Sequence, residues 1–322
     1  MTPRERVKAA LRFQEFDRVP VEGGRKHNDV LNVVGAGILK FGPGKTSGVM
    51  WRKGTRTDAW GCVFEMAEDG VSGEVKTPIL SDWSKLDALQ PPWDVLKEAD
   101  LSQVNAACAQ TDRFTAAMWG DVQPFQRMQY LRGTETLFMD LAYGEAEVYR
   151  LRDLVHEFYV KKLELVCKTD LDAVHIEDDW GSQTNLLVSP DMWREFFKPL
   201  YRDYVDIAHA HRKAIIMHSD GQIEAILPEL VEIGLDAVNA QLDCMDVESI
   251  ASRFHHKIAF WGGFDRQHLL PHGTDAEIRA EVRRIANAFF RYGRTGIVGQ
   301  CFQDKGVRDE AVDAVYDEWR KV

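Results

Sequence analysis

The sequence predicts an α/β fold, a distorted (β/α)8 TIM barrel with an N-terminal elaboration over the barrel mouth. From residue 100 onward, short apolar runs alternate with helical stretches, a rhythm that implies a parallel sheet with helical crossovers. At least seven strands can be counted, and a closed barrel accounts for them most simply. The 322 residues suit one such barrel, so we expect a single domain over residues 1–322.

Composition and charge exclude several classes of protein. The net charge is −11 and the pI is about 5.4, which argues against nucleic-acid binding because phosphate neutralisation needs a basic face. No stretch of eighteen apolar residues occurs, so no membrane span is expected. The cysteines are sparse, odd in number and without a CxxC spacing, which predicts reduced thiols in a cytoplasmic protein. They are Cys62, Cys108, Cys167, Cys244 and Cys301.

The chain begins with a predicted helix and a short strand. Residues 2–13 form a charged amphipathic helix, not a signal peptide. Thr2 can cap this helix and Glu5 completes a capping box. "DRVPVEGG" then predicts a strand, Val19 to Glu22, which ends in a glycine turn.

Residues 24–100 are predicted to be an irregular lid or insert region folded over one mouth of the barrel. The segment is rich in Gly, Trp and Pro. Within it, "GCVFEMAEDGVSGEV" predicts an antiparallel pair of strands, because Asp-Gly between apolar runs is a hairpin signal.

The remaining chain predicts alternating strands and helices. The strands lie in "RFTAAMWG", "DAVHIEDDWG", "AIIMHSDG", "LDAVNAQ", "KIAFWGGFD" and "GIVGQC". Helices are predicted at residues 134–168, 190–212, 222–233, 246–254, 275–291 and 308–321. Ser189 is the predicted cap of the second of these helices, and Thr274 with Glu277 forms a capping box for the fifth.

Polar side chains follow most of these strands. In an α/β barrel the carboxyl ends of the strands share one mouth, where active sites lie. The residues at these ends are Trp119, Asp121, Glu177, Asp178, Asp179, His218, Asp220, Asn239, Gln241, Asp265, Gln300, Cys301 and Gln303.

His218, Asp220 and Cys301 reach the predicted mouth from two separate strands, which is what a metal site needs. Each also has a structural interpretation. His218 could be a buried histidine bonded to the backbone, Asp220 a helix cap, and Cys301 a small core residue. In "HIEDDWG", Glu177 and Asp179 would point one way and Asp178 the other.

Four segments resemble the uroporphyrinogen decarboxylase superfamily, which includes corrinoid and coenzyme M methyltransferases. They are "TPRERVKAAL…DRVPV", "DDWGSQTNLLVSPDMWREFFKPLY", "HSDGQIEAILPELVEIGLDAVN" and "WGGFDRQHLLPHGT". The resemblance implies a distorted (β/α)8 barrel with its site at the C-terminal mouth, in agreement with the element pattern.

The resemblance favours the methyltransferase branch over true uroporphyrinogen decarboxylases. Those enzymes carry an RQAGR segment, where this chain has "VEGGRKHND" with Arg25 alone. The methyltransferases use an HxC…C zinc site. This chain has His218, Ser219 and Asp220 followed by Cys301, so the resemblance implies His218, Asp220 and Cys301 as zinc ligands, with Glu177 able to replace Asp220.

We therefore expect a methyltransferase that passes a methyl group from a small methoxylated compound to a partner corrinoid protein. The methoxylated compound could be aromatic. Zinc would assist this O-demethylation, and methylcobalamin would be carried by the partner. The expected acids are Asp178 and Asp179. The expected substrate-binding residues are Trp119, Asp121, Trp180, Asn239 and Gln241. The oligomeric state stays open, with a homodimer as one option.

Two other functions remain open at this stage. One is a metal-independent decarboxylase or lyase of a small carboxylic acid, in which Asp178 or Asp179 donates a proton. The other is a non-catalytic barrel that binds a small molecule.

Overall fold

The computed structural model describes residues 1–24, 28–33, 52–69, 73–117, 122–303 and 306–322. Contacts divide the chain into two compact units. The first comprises Met1–Val34, Asn105–Asp121 and Asp170–Val322, and the second Gly35–Val104 and Val122–Thr169. The single-domain organisation, with residues 24–100 as a lid, stays a prediction.

Eleven strands form two sheets within the described residues. They are β1 (Val21–Glu22), β2 (Val30–Val33), β3 (Gly54–Thr57), β4 (Val63–Met66), β5 (Glu74–Val75), β6 (Phe114–Ala117), β7 (Ala173–Glu177), β8 (Ala214–Ser219), β9 (Ala237–Ala240), β10 (Ala259–Trp261) and β11 (Ile297–Gln300). The first unit holds the order β1-β11-β10-β9-β8-β7-β6-β2, in which every pairing is parallel. This sheet is a nearly closed barrel, which confirms the predicted fold class.

The described helices occupy most of the chain between the strands. They are α1 (Pro3–Leu11), α2 (Trp93–Lys97), α3 (Ser102–Ala109), α4 (Pro124–Arg132), α5 (Thr134–Tyr143), α6 (Ala146–Val166), α7 (Pro190–Met192), α8 (Lys198–Ala210), α9 (Leu227–Glu232), α10 (Val247–Phe254), α11 (Leu269–His272), α12 (Asp275–Phe290) and α13 (Asp309–Trp319). Shorter 3₁₀ segments are Trp83–Ala88, Glu224–Ile226 and Leu242–Cys244, and Trp193–Phe197 is a π-helix between α7 and α8.

The predicted helix caps are confirmed. Thr2 accepts a hydrogen bond from the Glu5 backbone and completes a capping box at α1, and Thr274 does the same with Glu277 at α12. Ser189 caps α7 by accepting from the backbone N–H of Met192. These side chains satisfy N–H groups that have no partner within their helices.

The barrel strands are buried on both faces. Every residue of β6, β9, β10 and β11 is buried, as expected for parallel strands covered on both sides. Polar side chains therefore enter the first unit mainly where these strands end.

The register of the strands decides which of those polar residues are neighbours. His218 of β8 pairs with Asn239 of β9, and Asn239 pairs with Trp261 of β10. Glu22 of β1 pairs with Gln300 of β11. All five lie at or next to the carboxyl ends of their strands.

The second unit contains the antiparallel order β3-β4-β5, which confirms the hairpin predicted within residues 24–100. In this unit the guanidinium of Arg127 is buried and donates to Asp58. It also lies 5.4 Å from the ring centroid of Trp60. The ion pair anchors α4 to the loop after β3.

Several elements were not predicted from the sequence, namely β2, β3, α2, α3, α4 and α11. β2 lies inside the segment predicted to be irregular, because four residues with a central Asn32 give too short an apolar run to be recognised. α4 was missed because its nine residues have only a weak apolar stripe and follow a segment that already read as loop.

Two predictions on composition can be compared with the described residues. None of the described helices is long and apolar enough to span a membrane. The five cysteines all lie in the described part of the chain and form no disulfide.

Candidate functional site

A cleft opens at the carboxyl ends of β8 to β11 in the first unit. Its lining combines a histidine, amides, a carboxylate, a guanidinium and two phenyl rings. The residues are His218, Asp220, Asn239, Ala240, Gln241, Gly263, Phe264, Arg266, Gln300, Cys301 and Phe302.

Asn239 determines how the imidazole of His218 can act. The Nδ2 group of Asn239 donates to the backbone carbonyl of Trp261 at 2.6 Å. A carbonyl only accepts, so this contact favours the orientation of the Asn239 amide in which Oδ1 lies towards Nδ1 of His218, and these two atoms are hydrogen-bonded. Nδ1 therefore carries the proton, and Nε2 of the neutral ring is left with a lone pair.

Nε2 of His218 faces two carboxylates. It lies 3.6 Å from Oδ1 of Asp179 and 3.7 Å from Oδ1 of Asp220. One ligand atom from each of the three residues lies within 4.8 Å of the other two. Three negatively charged or lone-pair-bearing groups at this spacing form a potential cation site.

The loops after β7 and β8 hold the two carboxylates together. The backbone N–H of Asp220 donates to Oδ1 of Asp179 at 2.9 Å. The next residue, Gly221, has φ +79°, and a Cβ there would lie 2.2 Å from the carbonyl oxygen of Gly181. The loops can approach this closely only because both positions are glycine.

Arg266 and Gln241 both form hydrogen bonds with the loop that follows β8. The guanidinium of Arg266 donates to Oδ2 of Asp220 and lies 5.7 Å from the ring centroid of Phe302. Oε1 of Gln241 accepts from the backbone N–H of Gly221 at 3.1 Å. Asp220 is therefore held through one oxygen, and its other oxygen faces His218.

Burial shifts the pKa values of two groups around this centre. Full burial lowers the pKa of His175, on β7, to about 3, and the nearby His218 adds to that effect. Burial also raises the pKa of Asp243, where Gln241 opposes the shift and the charge of Asp265 adds to it. Both directions follow from the loss of water around an ionised form.

The structure separates the three consecutive acids of "EDD". Asp179 lies beside His218, whereas Asp178 is fully buried and accepts from the Tyr201 hydroxyl at 2.5 Å. The ring of Trp180 is also fully buried, and its Nε1 donates to the Tyr201 oxygen at 3.0 Å. Asp178 and Trp180 thus pack against α8 and not along the cleft.

The other predicted site residues have different positions. Asn239, Gln241 and Cys301 line the cleft. Cys301 and Glu177 do not belong to the group of three that Asp179 forms with His218 and Asp220 among the described residues. Trp119 and Asp121 lie outside the described residues, as does Arg25.

Five residues in or beside this cleft had no role in the site predicted from the sequence: Glu22, Phe264, Arg266, Gln300 and Phe302. Gln300 and Glu22 each end a predicted strand, so strand-end position was a usable signal for them. Arg266 and Phe302 follow the strand ends within loops, and the sequence contains no feature that distinguishes them from ordinary loop residues.

The donor set fits zinc. Two ligands of a tetrahedral zinc lie about 3.4 Å apart, given metal–ligand distances near 2.1 Å. The separations of 3.6 and 3.7 Å from Nε2 of His218 are close to that value. Asn239 supplies the hydrogen bond to the second ring nitrogen that metal-binding histidines ordinarily have.

The family model described as uroporphyrinogen decarboxylase (URO-D) matches residues 55–298. A methyltransferase from Methanosarcina mazei has a similar structure, with a TM-score of 0.74 at 16% identity, and the match covers 100% of this chain and 99% of that one. At this identity the match shows the shared fold.

More distant structural matches include a 3-keto-D-glucoside 4-epimerase from E. coli. It has a TM-score of 0.40 at 12% identity and covers 74% of this chain and 86% of that one. An endo-beta-1,4-xylanase from Gloeophyllum trabeum also has a TM-score of 0.40 at 12% identity, covering 67% and 78%. No curated protein sequence matches the chain.

Proposed function

This chain belongs to the uroporphyrinogen decarboxylase family, and from that premise we propose that it is a methyltransferase of a corrinoid-dependent system. It takes a methyl group from a small methoxylated compound and passes it to a corrinoid protein. The observation that carries the proposal is the orientation of His218, whose Nε2 faces Asp179 and Asp220. The full-length fold similarity to a methyltransferase supports the same class of reaction.

In this proposal Asp179, His218 and Asp220 hold a zinc ion. When bound, the zinc would act as a Lewis acid on an oxygen atom of the substrate. Two carboxylates and one imidazole make a harder site than thiolates would, which favours an oxygen-bearing methyl donor over a thiol. Cys301, which lines the same cleft, stays the predicted further ligand, and Glu177 stays the predicted replacement for Asp220.

The cleft also supplies groups that can orient a small substrate. Phe264 and Phe302 offer apolar ring surface, and Gln241 and Arg266 offer hydrogen bonds. Phe302 is 39% exposed, so its ring is accessible from the solvent side. This combination suits a methoxylated ring. The acidic loops make a poor site for a tetrapyrrole with many carboxylates, because like charges repel.

The first test is zinc binding by His218→Ala. We expect the unaltered protein to hold stoichiometric zinc and the variant to lose it. The substitution removes Nε2, the only nitrogen among the three proposed ligand atoms, and leaves two carboxylates. Zinc affinity should fall by more than about 100-fold, which exceeds the effect of removing a group that only supports a ligand. The measurements are elemental analysis and competition with a chromogenic chelator.

The matched control is His272→Ala, which removes an exposed histidine of α11. It should retain zinc. Stoichiometric zinc in His218→Ala would contradict the assigned centre.

The second test is activity. Under anaerobic conditions, with methoxylated aromatic compounds and a reduced corrinoid protein, we expect methyl transfer that chelation abolishes and zinc restores. Decarboxylation of a small acid by metal-free protein would establish the lyase alternative instead. Ligand binding without turnover would establish a binding barrel.

A further inference from the structure

A buried chain of hydrogen bonds leads from the ring of His218 across the barrel to Glu22. Nδ2 of Asn239 donates to Oε1 of Gln300 at 2.6 Å. Nε2 of Gln300 then donates to Oε2 of Glu22 at 2.7 Å. Together with the bond between His218 and Asn239, these contacts connect β8, β9, β11 and β1. Asn239, Gln300 and Glu22 are only 2%, 5% and 4% exposed.

The direction of every bond in this chain is determined by the groups at its ends. Glu22, as a carboxylate, only accepts. The indole Nε1 of Trp261 only donates, and it donates to the same Oε2 atom at 2.6 Å. Gln300 must therefore present its NH₂ group to Glu22 and its oxygen to Asn239. That arrangement requires Asn239 to present its own oxygen to His218.

The space for this chain depends on Gly262, which has φ +100°. A Cβ at this position would lie 2.7 Å from Nδ2 of Asn239 and 3.1 Å from Oε1 of Gln300. Any side chain here would therefore press on the bond between the two amides. Gly262 therefore leaves room for the two amides to approach to 2.6 Å.

We propose that Glu22 is a positioning residue which, through Gln300 and Asn239, keeps His218 in its Nδ1–H tautomer, with the lone pair of Nε2 directed at Asp179 and Asp220. The use of that lone pair for zinc rests on the proposed function. The tautomer itself does not, because the chain of donors and acceptors requires no metal.

Two substitutions of Glu22 separate charge from hydrogen bonding. Glu22→Leu removes both acceptor oxygens, so Trp261 and Gln300 lose the group that orients them. Glu22→Gln keeps one acceptor for these two donors. Its NH₂ can face Asn32, whose Oδ1 has no partner within the described residues and can turn to accept.

The test is nitrogen NMR of histidine-labelled, metal-free protein at a pH where neutral imidazole predominates, with the His218 signals assigned from His218→Ala. We expect the unaltered protein and Glu22→Gln to show a protonated Nδ1 and an unprotonated Nε2. Glu22→Leu should show both tautomers or exchange-broadened signals. Gln300→Leu, which cuts the chain at its middle, should behave like Glu22→Leu.

A single Nδ1–H tautomer in folded Gln300→Leu or Glu22→Leu would overturn the proposal. If Glu22→Leu fails to fold, Gln300→Leu decides the matter alone. Zinc titration of the same variants then tests the link to the metal, where we expect about 10- to 100-fold weaker binding in the two leucine variants. The two proposals can fail separately. If the leucine variants lose the single tautomer but the unaltered protein binds no zinc, the proposed function is refuted and this inference stands.

Discussion

His218 shows how one neighbouring amide can decide the chemistry of a residue. A histidine can offer either nitrogen as a base or ligand, and the partner of the other nitrogen decides which. Here Asn239 is oriented by two acceptors, the carbonyl of Trp261 on the next strand and Oε1 of Gln300, whose own orientation is set by Glu22. The usable nitrogen of His218 is therefore determined by residues of β10, β11 and β1.

Asn239→Leu tests this dependence directly. The substitution removes the bonds that Asn239 makes to Nδ1 of His218 and Oε1 of Gln300, and loss of the partner of a buried polar group costs about 1–3 kcal/mol. We expect lower stability in urea unfolding of the metal-free protein. Zinc affinity should fall by about 10- to 100-fold. An unchanged affinity, measured by calorimetry on folded variant, would show that Asn239 does not orient the ring.

At the scale of elements, the site depends on contact between the loops that follow β7 and β8. The residue pair Gly181 and Gly221 allows the two backbones to touch. Asp179 belongs to the first loop and Asp220 to the second, and the backbone bond between them measures 2.9 Å. The separation of the carboxylates is therefore a property of the loop contact more than of either side chain.

Gly221→Ala should disrupt this contact. Its Cβ would lie 2.2 Å from the carbonyl oxygen of Gly181, so one loop must move. We expect zinc binding to be lost together with several kcal/mol of stability, because steric overlap adds to the ~1–2 kcal/mol of a left-handed backbone.

The matched control is Gly144→Ala in the second unit, where φ is +70° and no atom lies within 4 Å of the added Cβ. This variant isolates the loss of stability that comes from placing a residue other than glycine at positive φ. Equal stability losses in both variants, with zinc binding retained in Gly221→Ala, would refute the steric argument.

At the largest scale, the centre requires closure of the barrel between β1 and β11. The Tyr316 hydroxyl of α13 lies 2.7 Å from the carbonyl oxygen of Glu22 and 3.1 Å from that of Cys301, and it accepts from the Cys301 N–H. Glu22 and Gln300 then meet across the same seam. Residues from the two ends of the chain thus combine in one site, so its integrity depends on the global fold.

Global stability should fall in acid partly through His175. Burial lowers its pKa to about 3 in the folded protein, whereas the unfolded value is near 6.5. The contribution is fully present above about pH 6.5 and is lost as the pH falls towards 3, because only the unfolded chain binds the proton in that window.

His175→Leu should flatten the decline of unfolding free energy between pH 6 and 4 by up to about 1.4 kcal/mol per pH unit. Urea unfolding at a series of pH values measures this, and the offset at pH 8, where both side chains are neutral, corrects for packing. Parallel curves for the two proteins would contradict the depressed pKa.

The sequence by itself determined the alternation of strands and helices, the caps at Thr2, Ser189 and Thr274, and the position of His218 and Asp220 at the end of a strand. These are local properties, because apolar periodicity and cap chemistry depend on residues a few positions apart. Only the tertiary structure decided that Asp179 and not Asp178 faces His218, that Trp180 is buried, and that Glu22 connects to His218. Those outcomes depend on strand register and on contacts between residues far apart in the chain, which no local pattern encodes.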